Sequence, residues 1–246
     1  MSGGRTVWRI RHKAVTESTN RDALGGMPGD VFTARHQTAG RGRLAHRWLS
    51  PPGENLTMSA VIDVAGVSPE EVATLPLLAG LAVAESVADR IDAAQGKAVG
   101  IKWPNDVLVG GRKICGILCE RNGDRVVVGI GVNVNQTVFD QAIASMSTSL
   151  RLECGGAFPL DTVRDSVLEH LAAELERWRM DGFTALWPKI AAMDFLKGRT
   201  VAIARTDDDA SPATGECGGI CRDGALLVNG EPVYAGSALW YNPRVF

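Results

Sequence analysis

The sequence predicts an α+β chain: a mixed β-sheet backed by helices, followed by a compact all-β module of about 50 residues. Three patterns predict this. Short β-rich runs dominate to about residue 135, two stretches carry apolar residues at helical spacing, and from Lys197 brief strands alternate with Asp-Gly and Asn-Gly turns. The boundary is placed between 1–196 and 197–246.

In chain order, strands are expected over Thr6–Ile10, Val31–Ala34, Leu56–Ile62, Val99–Lys102, Lys113–Glu120 and Arg125–Val132. Asn122-Gly123 separates the last two and suits a tight hairpin turn. Ser68-Pro69-Glu70-Glu71 reads as a helix start with a side-chain cap, a first-turn proline and a capping-box glutamate. Val72, Leu75, Ala79, Val83, Val87 and Ile91 continue it as an apolar stripe, which Pro76 either kinks or delays by a turn. A second helix is expected over Asp161–Met180, with Val163, Val167, Leu171, Leu175 and Trp178 on one face and Arg164, Glu169, Glu174 and Arg177 elsewhere. A shorter helical piece follows over Phe183–Met193. The tail should form strands over Thr200–Ala204, Gly218–Cys221, Ala225–Val228 and Pro232–Ala235, the look of a small barrel.

At 246 residues, 45% hydrophobic and 22% charged, the chain has the composition of a globular protein and not of a disordered one. Its 26 Lys and Arg against 28 Asp and Glu leave a net charge of -2, which excludes a broad basic surface for nucleic acid and makes any cationic site local. Five cysteines without a dense framework fit reduced thiols in a cytoplasmic compartment. Cys115/Cys119 and Cys217/Cys221 have C-x3-C spacing, but period-2 alternation places the first pair on one strand face, against a zinc site. The N-terminus is not a secretory signal, and the apolar stretch Ala73–Ala84 stops at Glu85, short of the roughly 20 residues a bilayer span needs.

Four segments carry chemistry. Glu17-Ser18-Thr19-Asn20 opens a short helix and offers hydroxyl and amide groups. His36 to Trp48 alternates arginines with small residues; glycines 40 and 42 let the backbone approach a ligand, while Arg41, Arg43 and Arg47 offer forked donors to carboxylate or phosphate. Trp48 suits stacking on a base or capping an apolar slot. A solvated basic turn would look similar. Lys102-Trp103-Pro104-Asn105-Asp106 ends an apolar strand and places two polar side chains at its tip, for a ligand, a divalent cation or a plain turn. Arg112-Lys113 opens an apolar strand that Gly116 interrupts. Gly129-x-Gly131-x-Asn133 lacks the third glycine and the following helix of a dinucleotide fingerprint.

Together, K-W-P-N-D at 102–106 and G-R-G-R-x-x-x-x-W at 40–48 make the chain resemble the biotin protein ligases over essentially its whole length. That family's fold is related to class II aminoacyl-tRNA synthetases and lipoate ligases, with a small C-terminal SH3-like domain. The resemblance implies biotin contacts from Ser18, Thr19, Asn20, Gln37, Gly40, Arg41, Arg43, Lys113 and Gly116. It implies ATP contacts from Arg41, Arg43, His46, Arg47, Trp48, Asn105, Lys113 and Asn133. Lys113, Arg43 and Asp106 are the expected catalytic residues, with Mg²⁺ at Asp106. The implied activity forms biotinyl-5′-AMP from biotin and ATP, then biotinylates a lysine of the biotin carboxyl carrier protein of an acyl-CoA carboxylase. The alternatives are a lipoate or octanoate ligase of the same fold and a non-catalytic biotin-binding regulator. One departure stands out: the family loop reads G-R-G-R-x-G-R-x-W, and here Ala45-His46 replaces the later Gly-Arg pair, with Arg47 beside it. Ser18 stands too near the start for the DNA-binding domain of larger members, so DNA is not an expected partner, and with no apolar run long enough to span a bilayer neither is a membrane. A homodimer is plausible by family analogy.

Overall fold

The computed structural model describes residues 6–43, 46–91, 97–204 and 213–240. Seven strands form the main sheet: β1 (Arg9–Thr16), β2 (Asp30–Gln37), β3 (Leu56–Asp63), β4 (Val99–Lys102), β5 (Asp106–Val109), β6 (Arg112–Asn122) and β7 (Arg125–Val132). Their spatial order is β1-β2-β3-β7-β6-β5-β4. β1 and β2 are parallel, and the remaining neighbours are antiparallel. A parallel pair needs a crossover, supplied here by the segment containing α1 (Thr19–Ala23).

Side-chain alternation gives the two faces of this sheet opposite characters. Met58, Ala60 and Ile62 of β3, Val126, Val128 and Ile130 of β7 and Ile117 of β6 enter the main core. There they meet α3 (Leu75–Ala88), which is flanked by α5 (Leu160–Asp181). Val163, Val167, Leu171, Leu175 and Trp178 of α5 are buried, and the Trp178 indole donates to Thr74 Oγ1 at 3.1 Å. On the opposite face, Val61, Val127 and Ala23 form a small separate cluster with Phe32. Beyond it the registered positions are small: Thr57 pairs with Gly131, Ser59 with Gly129, and Gly116 with Gly131. This strip of missing side chains is where the site lies.

Several sequence expectations shift. β1 runs over Arg9–Thr16 instead of Thr6–Ile10 because it is an exposed, charged edge strand whose limits are set by pairing with β2 and not by apolar alternation. The four-residue β5, the five-residue α4 (Leu150–Cys154) and β12 (Ser237–Trp240) are too short to show a period, and none was anticipated. Ser68 does cap the expected helix, accepting from Glu71 N at 3.2 Å, but the chain breaks into α2 (Pro69–Val72) and α3, whose first turn holds Pro76. Taken together, Pro69–Ala88 is 20 residues and apolar enough to cross a membrane by length and composition, which the stretch to Ala84 was not; here 67% of its most apolar window is buried in protein. Glu174, expected outside, is buried on the α5 flank, where Lys189 (2.8 Å) and Arg177 (3.0 Å) compensate its charge. The piece after α5 is a 3-10 turn, Phe183–Ala185, followed by α6 (Trp187–Ala192). The β6–β7 hairpin turns on Gly123-Asp124, since Asn122 already pairs with Arg125 and only Gly123 has positive φ, 61°.

The C-terminal strands β8 (Thr200–Ala204), β9 (Ala213–Ile220), β10 (Leu226–Val228), β11 (Glu231–Val233) and β12 form an antiparallel sheet in the order β11-β10-β9-β8-β12. No pairing closes β11 onto β12 among the described residues, so this is an open sheet and not a closed barrel. Asn229 (φ 51°) and Gly230 (φ 83°) make the two-residue turn between β10 and β11 that positive φ at both centres allows. The sheet is anchored to the main body by Trp103 Nε1 donating to Gly224 O (3.1 Å) and Trp187 Nε1 donating to Ile220 O (2.7 Å).

The edge strand β1 is tied down by Asp30, whose carboxylate accepts from Arg9 Nε (2.8 Å), Arg11 (3.3 Å) and Met27 N (2.9 Å). Burial alone would raise this carboxyl; the Met27 amide and the two guanidiniums outweigh it and hold it below the usual aspartate value. A depressed folded value means the stabilisation is present above an unfolded pKa of about 3.9 and is lost as pH falls through the folded one. Urea unfolding between pH 6 and 3 should therefore show the wild type losing stability below about pH 4 more steeply than Asp30→Asn. Equal slopes would refute the assignment.

Candidate active site

Ser18 is the N-cap of α1 and makes no side-chain capping bond, which leaves its hydroxyl to face the strip of small residues. Thr19 is fixed from two directions: its N–H and Oγ1 donate to Gln37 Oε1 at 2.8 and 3.1 Å, and Ser59 Oγ lies 2.7 Å from Thr19 Oγ1. Asn20 is built into the wall. Its Nδ2 donates to Leu118 O (3.2 Å) and Glu120 Oε2 (2.8 Å), and Ser59 Oγ is 2.6 Å from its Oδ1. A Cβ on Gly129 would stand 2.0 Å from that Oδ1, so the glycine is what admits Asn20.

The glycine-arginine loop folds back on itself. Gly42 N donates to His46 O (2.8 Å), His46 N to Arg43 O (2.9 Å) and Trp48 N to Gly40 O (3.0 Å). Leu44 and Ala45 lie outside the described residues. The return brings Trp48 O so near Gly40 that a Cβ there would be 2.4 Å away. The Trp48 indole lies over the sheet, at 2.4 Å from a Cβ on Gly131 and 3.1 Å from one on Gly116, and its buried N–H has no hydrogen-bond partner among the described residues. Arg41 pairs with Glu120 (2.8 Å). Arg43 donates to Asn105 Oδ1 (3.3 Å) and to Gly236 O (3.1 Å), which joins the loop to the C-terminal sheet. Burial pulls its guanidinium below the ordinary arginine value, and Asp106 opposes that shift. Arg47 reaches outward to Thr38 O (3.1 Å).

Lys102 and Asp106 are cross-strand partners where β4 turns into β5, around a cis Trp103-Pro104 bond. Asp106 Oδ1 sits 2.6 Å from Lys113 Nζ and Oδ2 3.5 Å from Lys102 Nζ. Burial would raise the Asp106 carboxyl, but the two ammonium groups prevail and hold it below the usual range. Asn105 donates to Ile117 O at 2.8 Å, which fixes its oxygen toward Arg43.

These groups surround a hollow of about 280 Å³ lined by every expected site residue except Gly40 and Asn133. Those two line a larger cavity of about 1100 Å³ that shares Gln37, Trp48, Lys102, Asp106 and Lys113 with the first. Asn133 is buried, and its Nδ2 donates to Thr148 O at 3.0 Å. Sequence reasoning missed Ser59, Glu120 and Lys102. Lys102 stood in a recognised motif without a role, whereas Ser59 and Glu120 carry no local signal. Gly129 and Gly131 were noticed, as a failed dinucleotide fingerprint, although their purpose is to clear space for Asn20 and Trp48. Cys115 and Cys119 lie on β6 of the main sheet, whereas Cys217 lies on β9 of the C-terminal sheet with Cys221 just past its end, and burial pushes the Cys119 thiol up to about 12 and the Cys217 thiol up to about 11.

The sequence model of the biotin/lipoate A/B protein ligase family matches residues 13–136. The chain belongs to this family. It is 35% identical to a biotin–acetyl-CoA-carboxylase ligase of Mycobacterium tuberculosis, over 90% of this chain and 82% of that one. With the ligase of the same name from Paracoccus denitrificans the identity is 34%, over 88% and 92%. The solved biotin protein ligase from Aquifex aeolicus in complex with biotin and ATP aligns with a TM-score of 0.81 at 26% identity, covering 95% of this chain and 98% of that one. Against this family's loop pattern, His46, which stands in the replaced Gly-Arg pair, and Arg47 beside it both line the two cavities, and Arg47 also donates to Thr38 O.

The two glycines of β7 differ in what they would strike. Gly129→Ala meets Asn20, which is held by several hydrogen bonds, and should lower the melting temperature by roughly 4–8 °C, from about 2 kcal/mol of overpacking. Gly131→Ala meets an indole with no such tether and should change it by less than half as much. Thermal melts of the two variants check this, and equal losses would contradict it.

Proposed function

We propose that the chain is a biotin protein ligase that condenses biotin with ATP to biotinyl-5′-AMP and pyrophosphate, then passes biotin to a lysine of a biotin carboxyl carrier protein. The observation that carries this is the convergence of Arg41, Arg43, Lys102 and Lys113 on one glycine-walled hollow. Two anions, a carboxylate and a triphosphate, must meet, and a set of fixed cations in a partly desolvated pocket removes the repulsion between them. Family membership and the relatives' names favour this chemistry.

In the first step a biotin carboxylate oxygen attacks the α-phosphorus and the bond to pyrophosphate breaks. Ser18, Thr19 and Gln37 offer hydrogen-bond partners for the polar ring of biotin, and the glycine strip of β7 that the Trp48 indole covers takes its apolar part once the indole moves aside. Arg41, Arg43 and Lys113 neutralise the charge shared between carboxylate and phosphate. Asn133, His46, Arg47 and Trp48 border the larger cavity, the side assigned to the nucleotide, and Asn105 lines the adjoining smaller hollow. Mg²⁺ bound with ATP would supply charge neutralisation on the departing pyrophosphate. Asp106 is already held by two ammonium groups and does not fit a resident metal ligand; among the described residues no three His, Cys, Asp or Glu side chains converge. Its part is to orient Lys113. As Lys113 turns to phosphate, Asp106 loses its nearest cation and regains basicity, which suits it to take the proton of the incoming amine in the second step.

Residues 1–196 are read as the catalytic unit and 197–246 as an SH3-like module that braces the loop through Gly236. A cytoplasmic enzyme acting on the carrier of an acyl-CoA carboxylase completes the reading.

Purified protein with biotin, ATP and Mg²⁺ should release pyrophosphate and form biotinyl-adenylate that a carrier domain then consumes; chelation of Mg²⁺ should stop the first step. Preference for lipoate in a side-by-side assay would assign the neighbouring branch of the family, and no turnover with either acid would leave a binding protein. Lys113→Gln should lower adenylate formation by about 10² or more, as loss of one charge-stabilising donor does. An unchanged rate in that variant would remove Lys113 from the chemistry.

A further inference from the structure

Glu153, on α4, is a carboxylate that neither cavity uses, and only 1% of its side-chain surface is exposed. A buried carboxylate is unfavourable unless its charge and lone pairs are met. Here the charge is met by Arg112 Nη2 at 2.6 Å and by Lys97 Nζ at 3.0 Å, and Oε1 also accepts from the Thr148 hydroxyl. The helix that carries Glu153 does not need this cluster to form, because Ser149 caps its start by accepting from Leu152 N (3.2 Å) and Gly155 ends it at φ 78°.

What the cluster touches is informative. Arg112 immediately precedes Lys113 at the start of β6. Thr148 N donates to Lys113 O at 2.9 Å, and Thr148 O accepts from Asn133 Nδ2 at 3.0 Å. Asn133 is tied to the same strand, its N–H donating to Ile114 O at 2.8 Å. One residue, Thr148, thus bridges the backbone of the expected catalytic lysine and the side chain of an expected nucleotide contact, and Glu153 holds both Thr148 and the residue beside that lysine.

We propose that Glu153 is a positioning residue for adenylate formation, acting through Thr148 and Arg112 to fix Lys113 and Asn133 toward the nucleotide. This rests on the ligase reading above. The groups read as taking the polar ring of biotin, Ser18, Thr19 and Gln37, lie at α1 and β2. The described hydrogen bonds of Thr19 and Gln37 run to each other and to Ser59, not to this cluster, so the effect falls chiefly on ATP.

The test compares wild type, Glu153→Gln, Thr148→Val and the double variant in pyrophosphate release, with ATP and biotin varied separately, alongside biotin calorimetry and thermal melts. Each single change should lower kcat/KM for ATP by about tenfold, the order expected for a slight misplacement of catalytic groups, while biotin affinity stays within about twofold. The double variant should be no worse than the worse single one, since both cut the same connection. Folded variants with wild-type ATP kinetics would overturn the proposal. So would parallel losses for ATP and biotin, which is what general loosening produces. Thr148→Val removes one hydroxyl without changing shape and decides the matter alone if Glu153→Gln does not fold. If the wild type makes no adenylate, the ligase reading fails first and takes this proposal with it; failure confined to the variants' behaviour touches only Glu153.

Discussion

The site exists because the centre of one sheet face has almost no side chains. β3, β7 and β6 direct their large residues toward α3, and the same period-2 alternation leaves Thr57, Ser59, Gly129, Gly131 and Gly116 on the opposite face. A one-residue slip of register would send Met58, Ile130 and Ile117 into that space and fill it. The burial that stabilises the sheet also enforces the register that keeps the hollow open. Fold stability and binding space are two results of one pattern.

Onto this strip the loops bring charge in a fixed order. Asp106 stands between Lys113 and Lys102, Glu120 faces Arg41, and Asn105 and Gly236 O hold Arg43. Positive charge exceeds negative within the hollow although the whole chain carries a net charge of -2. The imbalance is therefore local, as suits the capture of small anions and not of a polyanion. Trp48, its indole N–H unmet among the described residues, covers the floor in a way that a ligand ring can replace.

Much of this was legible beforehand, and the limits have physical causes. Arg125–Val132 and Thr200–Ala204 were placed to the residue because alternation and turn glycines bound them. The expected site residues gather in two adjoining cavities because they sit at strand ends and in a glycine-rich loop, where sequence motifs report backbone geometry directly. Ser59, Glu120 and Glu153 were invisible because each depends on a partner far along the chain, Ser59 on Asn20 39 residues away, Glu120 on Asn20 100 residues away, and Glu153 on Arg112 41 residues away, and only the folded sheet supplies those neighbours. The edge strand β1 was misplaced for the complementary reason: without a buried face it has no alternation to read, and pairing alone sets its limits.

The central claim is that the hollow and its cations together hold the junction between a carboxylic acid and AMP. A crystal structure with a non-hydrolysable biotinyl-adenylate analogue tests it most directly. The analogue's phosphate should lie within hydrogen-bond distance of Lys113 Nζ and the Arg43 guanidinium, its biotin end against Gly129 and Gly131, and the Trp48 indole should be displaced from β7. An analogue bound elsewhere, or one leaving Trp48 on Gly131 and Lys113 on Asp106, would contradict the account.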